Sequence, residues 1–266
     1  MESAVPDVIR LRSPWRIGLF RWYVRRYLAK HLHGVRLLGA LPDLPPGPVV
    51  IALNHPSWWD PLLAALLSEH LLDCSHYAPI DAEQLERYRF FRRLGFYGLE
   101  RSRAGLVSFL RTSRALLAAP DTALWITAQG HFADPRQRPP ALEPGVAALA
   151  EALDGRGCVL PLALELPFWA EKRPEALLHF GAPLPAADLP SDRSACLTTI
   201  EDALASAQDA LAAASLTRDP AAFTTLLGGS VGVGGVYDLW RRARAALRGE
   251  RFDPEHRARL PQEETA

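Results

Sequence analysis

The sequence predicts an α/β protein: a single domain with a central mixed β-sheet flanked by helices, extended by basic amphipathic helices at its N- and C-terminal ends. Three observations predict it. Short β-rich apolar runs alternate along the chain with longer segments of helical periodicity, the order that builds a sheet with helices on its faces. The length of 266 residues suits one large α/β domain with terminal extensions and is enough to bury a sizeable core. Charge balances to a formal net of zero, yet basic residues gather near the two ends. Residues 1–35 are therefore expected as a basic amphipathic helix region, 36–215 as the α/β domain, and 216–266 as a glycine-rich turn, a basic helix and a charged tail.

Between Asp7 and Asp43 there is no acidic residue, whereas Arg10, Arg12, Arg16, Arg21, Arg25, Arg26, Lys30 and Arg36 are all basic, with Trp15, Phe20, Trp22, Tyr23 and Leu28 between them. Such a helix lies in a membrane interface with its arginines among anionic headgroups. The competing reading is a helix packed on the domain with a solvated arginine face, and the missing acids favour the membrane. No stretch reaches the roughly 18 apolar residues needed to span a bilayer, and no apolar signal core is present. The expectation is a cytoplasmic protein, peripheral on the inner face of the cell membrane. Nucleic acid is a poor partner, because the basic residues sit in terminal helices and the total charge is balanced. Cys74, Cys158 and Cys196 are odd in number and lack metal-ligand spacing, so buried thiols are expected, with no disulfide framework and no metal.

In chain order, Val49–Leu53 reads as the first strand, followed by a helix over Pro61–Leu72. Ser75–Ile80 is a strand, and Asp81 caps a helix over Ala82–Leu94. Phe96–Leu99 and Ala123–Thr127 are strands on either side of a helix at Leu106–Ala118. A helix at Gly145–Leu153 precedes strands at Val159–Leu164 and Ala176–Phe180. Pro183 to Pro190 is a loop, and Ser194–Ala214 is an alanine-rich helix with Glu201, Asp202 and Asp209 on a solvated face. The glycines from Gly228 to Gly235 lack a Gly-Lys-Ser/Thr ending, so they read as a close-packed turn or flap rather than a phosphate loop. Leu239 to Arg248 is a second basic helix, carrying Trp240, and the charged tail begins at Arg251.

Chemistry concentrates at Asn54-His55-Pro56-Ser57-Trp58-Trp59-Asp60, directly behind the first strand. An imidazole takes a proton from an alcohol near neutral pH, and a nearby Asp fixes its tautomer and stabilises the imidazolium. The bare His-x4-Asp spacing is weak evidence, since eight His and fifteen Asp predict about half a copy by chance. The chain contains two. His55 has a strand before it, Pro56 holding it out of helical geometry, and Ser57 positioned to cap a helix with Asp60 in its first turn. His76, the other candidate, lacks that context and reads as a strand or loop histidine without a catalytic role.

A strand, then Asn-His-Pro-Ser-Trp-Trp-Asp, then a helix resembles the first block of the glycerolipid acyltransferase family typified by 1-acylglycerol-3-phosphate acyltransferases. Gly95 to Arg101 is similar to the second block, and by that resemblance Arg101 binds the acceptor. Ala123 to His131 runs into a turn where the family carries Phe-Pro-Glu-Gly-Thr-Arg; Gly130 matches, while Gln129, His131 and Phe132 stand for the glutamate, threonine and arginine. Glu143 to Ala147 resembles the family's Lys-x-Gly-Ala helix start, and Val159 to Ala163 its last strand with a central proline. The likeness spans about Arg36 to Pro185 and is most specific in its first block.

The resemblance implies transfer of a fatty acyl group from acyl-CoA or acyl carrier protein, a co-substrate rather than a bound cofactor, to a hydroxyl or amine of a lipid-like acceptor. His55 is the expected base and Asp60 its partner. Asn54 and Gly130 are expected to position the site or stabilise an oxyanion, and Arg101, Gln129 and His131 to hold the acceptor. A glutamine carries no charge and Phe132 offers no cationic fork, so a phosphate-bearing acceptor is in doubt unless Arg103, Arg136 or Arg138 restores positive charge. Trp58, Trp59 and Phe132 are candidates for an acyl groove or for core packing, with the two tryptophans facing different ways on a helix. Two other readings stay open: a membrane-binding member that has lost catalysis, and a lipid hydrolase, although no Gly-x-Ser-x-Gly occurs.

Overall fold

The computed structural model of the chain describes residues 7–71 and 73–229. The expected basic helix around Trp240, most of the glycine-rich run and the charged tail lie outside the described residues. In chain order the first half comprises α1 (Asp7–Leu11), α2 (Pro14–His31), β1 (Gly34–Leu38), β2 (Val49–Leu53), α3 (Asp60–Leu67), β3 (Ser75–Asp81), α4 (Ala82–Arg87) and β4 (Phe96–Leu99). The second half comprises α5 (Arg103–Leu117), β5 (Thr122–Thr127), α6 (Gly145–Glu151), β6 (Cys158–Glu165), β7 (Glu175–Phe180), β8 (Leu184–Pro185), α7 (Arg193–Thr217) and β9 (Phe223–Gly228).

Among the described residues, all nine strands join one mixed sheet in the order β4-β3-β5-β2-β6-β7-β1-β9, with β8 paired to β6. The chain is thus the expected α/β protein with helices on both faces of a central sheet. Its middle strands β5, β2 and β6 are parallel, and every residue of β2 is buried, as a continuous apolar run requires when both faces are covered. Strand alternation divides the core. Val49, Ile51 and Leu53 pack with Leu63, Leu66 and Leu67 of α3 and with Val24 and Leu28 of α2. Val50 and Ala52 face the other way, toward Phe109 of α5, Leu149 of α6 and Leu204 of α7.

The sheet extends past residues 36–215 at both ends, because Gly34 and Val35 already pair with β7 and β9 runs antiparallel to β1. Neither β1 nor β9 was evident as a strand: Arg36 interrupts the apolar pattern of one, and Thr224 and Thr225 that of the other. The expected helix over Ala82–Leu94 is broken at Tyr88, and a 3-10 turn over Arg89–Leu94 follows α4. That turn directs Phe91 against Phe20 of α2 and Phe96 of β4. Gly95 ends it at φ 99°, where a Cβ would lie 2.5 Å from the His76 carbonyl oxygen. Asp81 caps α4 as expected, accepting from the N–H groups of Glu83 and Gln84. The helix after the His-x4-Asp motif ends at Leu67 rather than Leu72; the Ser68 hydroxyl closes it by donating to the Ala65 carbonyl.

An ionic cluster secures the junction of α2 with the sheet. His33 Nδ1 donates to Glu175 of β7, whose other oxygen accepts from Arg36 Nε at 3.0 Å, and Arg36 also donates to Thr225 of β9 at 2.8 Å. The hydrogen bond to Glu175 raises the His33 pKa against the opposing effect of burial. A histidine raised in this way contributes stability that is complete below its unfolded pKa of about 6.5 and is lost as pH rises through the folded value. The melting temperature should therefore fall as pH increases above about 6.5. Thermal melts of His33→Gln should lack this slope, and an unchanged slope would remove His33 as its source.

Candidate active site

The site lies at the C-terminal ends of β2 and β5, neighbouring parallel strands whose following connections lead to opposite sides: β2 to β3, and β5 to β6. A crevice opens at such a reversal in α/β sheets. β2 ends at Leu53, and the next two residues are fixed by other strands. Asn54 is fully buried and makes a reciprocal pair with Leu164 of β6: its amide nitrogen donates to the Leu164 carbonyl at 3.0 Å, and its oxygen accepts the Leu164 N–H at 2.7 Å. His55 is gripped through its backbone, with its N–H donated to Gln129 Oε1 at 3.0 Å and its carbonyl accepting from Ala133 N at 3.0 Å. The loop after β5 therefore determines where the imidazole sits.

His55 Nδ1 lies 2.6 Å from Asp60 Oδ2. The ionised carboxylate only accepts, so Nδ1 carries the proton and Nε2 is left as the basic nitrogen. Asp60 is the first residue of α3 and is 1 % exposed. Burial raises its pKa, opposed by the bonds from His55 and Ser57. Ser57 does not cap the helix as expected. α3 begins three residues later, and the Ser57 hydroxyl instead accepts from Trp59 N and approaches Asp60 Oδ1 at 3.5 Å.

The remaining candidates separate into buried supports and an exposed rim. Asn54 is a buried support: it is 0 % exposed, and both its amide nitrogen and its oxygen bond to Leu164. Gln129 does not reach an acceptor: it is 1 % exposed, and its amide nitrogen donates to the Pro140 carbonyl at 2.7 Å. Gly130 occupies the turn at φ 66°, with Glu143 against its α-carbon, and its N–H is donated to the Thr127 carbonyl. Arg101 is exposed and reaches the Gly130 carbonyl at 3.4 Å, and His131 is exposed beside it. Arg136 is held by Asp134 and Arg138 by Asp209, so neither offers an unpaired cation. Arg103 opens α5 on the exposed surface.

Aromatic rings complete the surroundings. Phe132, at the position of the family's arginine, covers the His55 ring with centroids 4.3 Å apart while remaining 61 % exposed. Trp58 and Trp59 precede α3 instead of lying on it, and they stack at 4.8 Å rather than diverging; both approach Tyr27 of α2. Beyond Asp60 an apolar cavity descends between α2, α3 and the β3–β5 pair. His76 lies in that region, where its Nδ1 accepts from Trp125 Nε1. Burial pushes the thiols of Cys74 and Cys158 up to about 11, which keeps them protonated.

No family model matches the sequence, and no curated protein matches it. Among solved structures, the 1-acyl-sn-glycerophosphate (LPA) acyltransferase PlsC from Thermotoga maritima superposes with a TM-score of 0.53 over 75 % of this chain and 79 % of its own. The chain has this acyltransferase fold. Sequence identity across the match is 14 %, so the likeness is one of architecture. Within the acyltransferase fold the His55–Asp60 pair stands where β2 meets α3.

The sequence motif anticipated that His55 and Asp60 would meet, but not how they are held. The Asn54–Leu164 pair could be suspected only from an asparagine directly behind an all-apolar strand. Asn54→Ala leaves the Leu164 N–H and carbonyl unpartnered inside the core and should cost about 2–4 kcal/mol. Urea unfolding checks this; a loss under about 0.5 kcal/mol would show that the pair is dispensable.

Proposed function

We propose that the protein transfers a fatty acyl group from a thioester, acyl-CoA or acyl carrier protein, to a hydroxyl or amine of a lipid-like acceptor at a membrane surface. The observation that carries this reading is the 2.6 Å His55–Asp60 bond, which leaves Nε2 as the basic nitrogen of a ring whose partner, Asp60, also lines an apolar cavity. His55 Nε2 takes the acceptor's proton as its oxygen or nitrogen attacks the thioester carbonyl. The tetrahedral intermediate collapses with cleavage of the carbon–sulfur bond, and the imidazolium returns the proton to the departing thiolate. Asp60 orients the ring and stabilises its charge through the transfer. Backbone N–H groups in the turn beyond Gly130 are the proposed oxyanion donors.

The acyltransferase fold supports a glycerolipid as acceptor, since the Thermotoga protein is named for a lysophosphatidate substrate. The ring of Phe132 over the base and the carboxylate-paired Arg136 and Arg138 favour an acceptor less charged than a phosphate monoester, with Arg101 and His131 at its headgroup. α2 supports attachment to an anionic membrane on its cytoplasmic face. It exposes Trp15, Leu19, Trp22 and Tyr23, with Arg16 stacked on Trp15 and Arg26 on Trp22. Among the described residues no helix is long and apolar enough to cross a membrane. A cysteine hydrolase is disfavoured by the raised thiols, and Ser57 points its hydroxyl at Asp60 rather than the imidazole.

Acceptor choice is tested by offering lysophosphatidate, a lysophospholipid with a zwitterionic headgroup, and an amino-acid lipid, each with a radiolabelled thioester donor on anionic vesicles. The zwitterionic or amino-acid lipid should be acylated faster than lysophosphatidate. A preference for lysophosphatidate would overturn the proposed acceptor class.

A further inference from the structure

The cavity beside the catalytic pair has two unlike ends. Leu53, Asp60 and Thr127 line the end nearest His55, and Ile17, Phe20, Ala64, Ala65 and Phe96 make apolar walls. The far end is polar, with Arg12, Arg21, Ser68 and His76 on its lining. Asp60 and Ser68 stand at opposite ends of α3, eight residues apart. At about 1.5 Å per residue the lining between them spans about 12 Å along the helix, the length of about ten extended carbons.

This polar floor is assembled rather than incidental. Arg21 donates one guanidinium nitrogen to both the carbonyl and the hydroxyl of Ser68, at 2.9 and 2.8 Å. Arg12 lies over the Tyr77 ring at 5.8 Å, and its Nε is buried without a hydrogen-bond partner. Burial lowers the Arg21 pKa, Glu69 opposes that, and Arg12 is close enough to lower it further. Glu69, the neighbouring carboxylate, gives one oxygen to Arg25 at 2.9 Å. An apolar chain that ended here would leave the buried Arg12 donor unsatisfied, which carries a penalty that an oxygen acceptor removes.

Resting on the acyl-transfer reading above, we infer that the cavity takes the donor's acyl chain and selects one about ten carbons long whose far end bears an oxygen, a hydroxyl or a carboxylate, received by Arg12 and Arg21. The thioester carbonyl then lies at His55 and the chain passes Asp60 and Thr127 to the floor. Longer saturated chains must press a methyl terminus against the guanidinium pair.

Initial rates with decanoyl, 10-hydroxydecanoyl, 9-carboxynonanoyl and palmitoyl thioesters, on the full chain with anionic vesicles, test this. At least one of the two oxygen-ended donors should exceed decanoyl in kcat/KM by about tenfold, and palmitoyl should be the poorest. Which of the two leads separates a hydroxyl ligand from a carboxylate. In Arg12→Leu and Arg21→Leu the ratio of oxygen-ended to plain decanoyl rates should collapse toward one. Arg12→Leu guards against a folding artefact, since it breaks no Nε hydrogen bond and removes only a ring contact with Tyr77 at 5.8 Å, and its Tm is read beside the rates. His55-dependent transfer of decanoyl and palmitoyl with both oxygen-ended donors refused would overturn this inference and leave the acyl-transfer reading standing. Transfer from no donor at all would overturn both.

Discussion

Asp60→Asn should lose about 10³-fold or more in kcat while melting no lower than the unmodified protein at neutral pH. The two effects have one origin. Asp60 is almost wholly buried, and burial raises its pKa from the ordinary 3.8 despite the bonds from His55 and Ser57. The folded state therefore holds the Asp60 proton more tightly than the unfolded chain does. Stability from this group is complete below the unfolded pKa and declines as pH rises through the folded one, so the ionised carboxylate is a cost at neutral pH. Asparagine removes that cost and keeps a carbonyl oxygen for the imidazole. It cannot stabilise the imidazolium formed when His55 takes a proton, and it allows the opposite tautomer. His55→Ala should reduce turnover by about 10²–10⁴-fold without unfolding the domain, since the ring makes contacts chiefly with Asp60 and the exposed Phe132. A Tm well below that of the unmodified protein in Asp60→Asn, or kcat within about tenfold of it, would contradict this assignment.

Gln129→Glu, which restores the residue that the resembling family carries, should destabilise the fold by about 2–4 kcal/mol. Glutamine is required here by geometry. Its oxygen accepts the His55 N–H, while its nitrogen donates to the Pro140 carbonyl at 2.7 Å. A carboxylate keeps the first bond but sets an anionic oxygen against a carbonyl oxygen in a site with almost no water access. The variant must either bury a repelled charge or hold a proton, so its deficit should widen as pH rises. Thermal melts at two pH values read this out, with a fall of about 5–12 °C expected at the higher pH. Turnover should fall as well, because Gln129 holds the backbone on which the imidazole is mounted. A variant with unchanged Tm and turnover would mean that the loop after β5 does not position His55.

These two residues mark the boundary of what the sequence could reveal. His55 and Asp60 were legible because their chemistry is local: a strand end, a proline and a helix start bring two side chains together within six residues. The central strands were legible for a related reason, since Val49–Leu53 and Val159–Leu164 are continuous apolar runs that only a doubly covered sheet can bury. Gln129 looked like an acceptor ligand because its position in the resembling block implied one, and only the packing of Pro140 above it makes it a support. Asn54 is a similar case, with its partner Leu164 more than a hundred residues away. β1 and β9 were hidden because Arg36 and the threonines interrupt their apolar patterns, and their pairing, with Arg36 and Thr225 joined across it, is what holds them in the sheet. Trp58 and Trp59 were misread through the assumption that they lie on a helix. α3 starts just after them, which frees both rings to stack against Tyr27.

The position of Phe132 has a consequence for chemistry as well as for specificity. A ring 4.3 Å from the imidazole covers one face of it, at the sequence position where the resembling family carries an arginine. Arg12 and Arg21 line the cavity that Asp60 also borders. Under the proposed acyl transfer, these placements assign discrimination to the acyl donor at Arg12 and Arg21 and to a less charged acceptor at the rim.

The central claim is that His55, backed by Asp60, moves an acyl group from a thioester to a lipid-like acceptor. The most direct measurement follows free thiol release and acylated lipid together, by absorbance and by mass spectrometry, with the purified protein on anionic vesicles. The account predicts one acylated acceptor per thiol released, with both signals falling by at least about 10²-fold in His55→Ala at unchanged Tm. Thiol release matched only by free fatty acid, or equal acylation in His55→Ala, would contradict it.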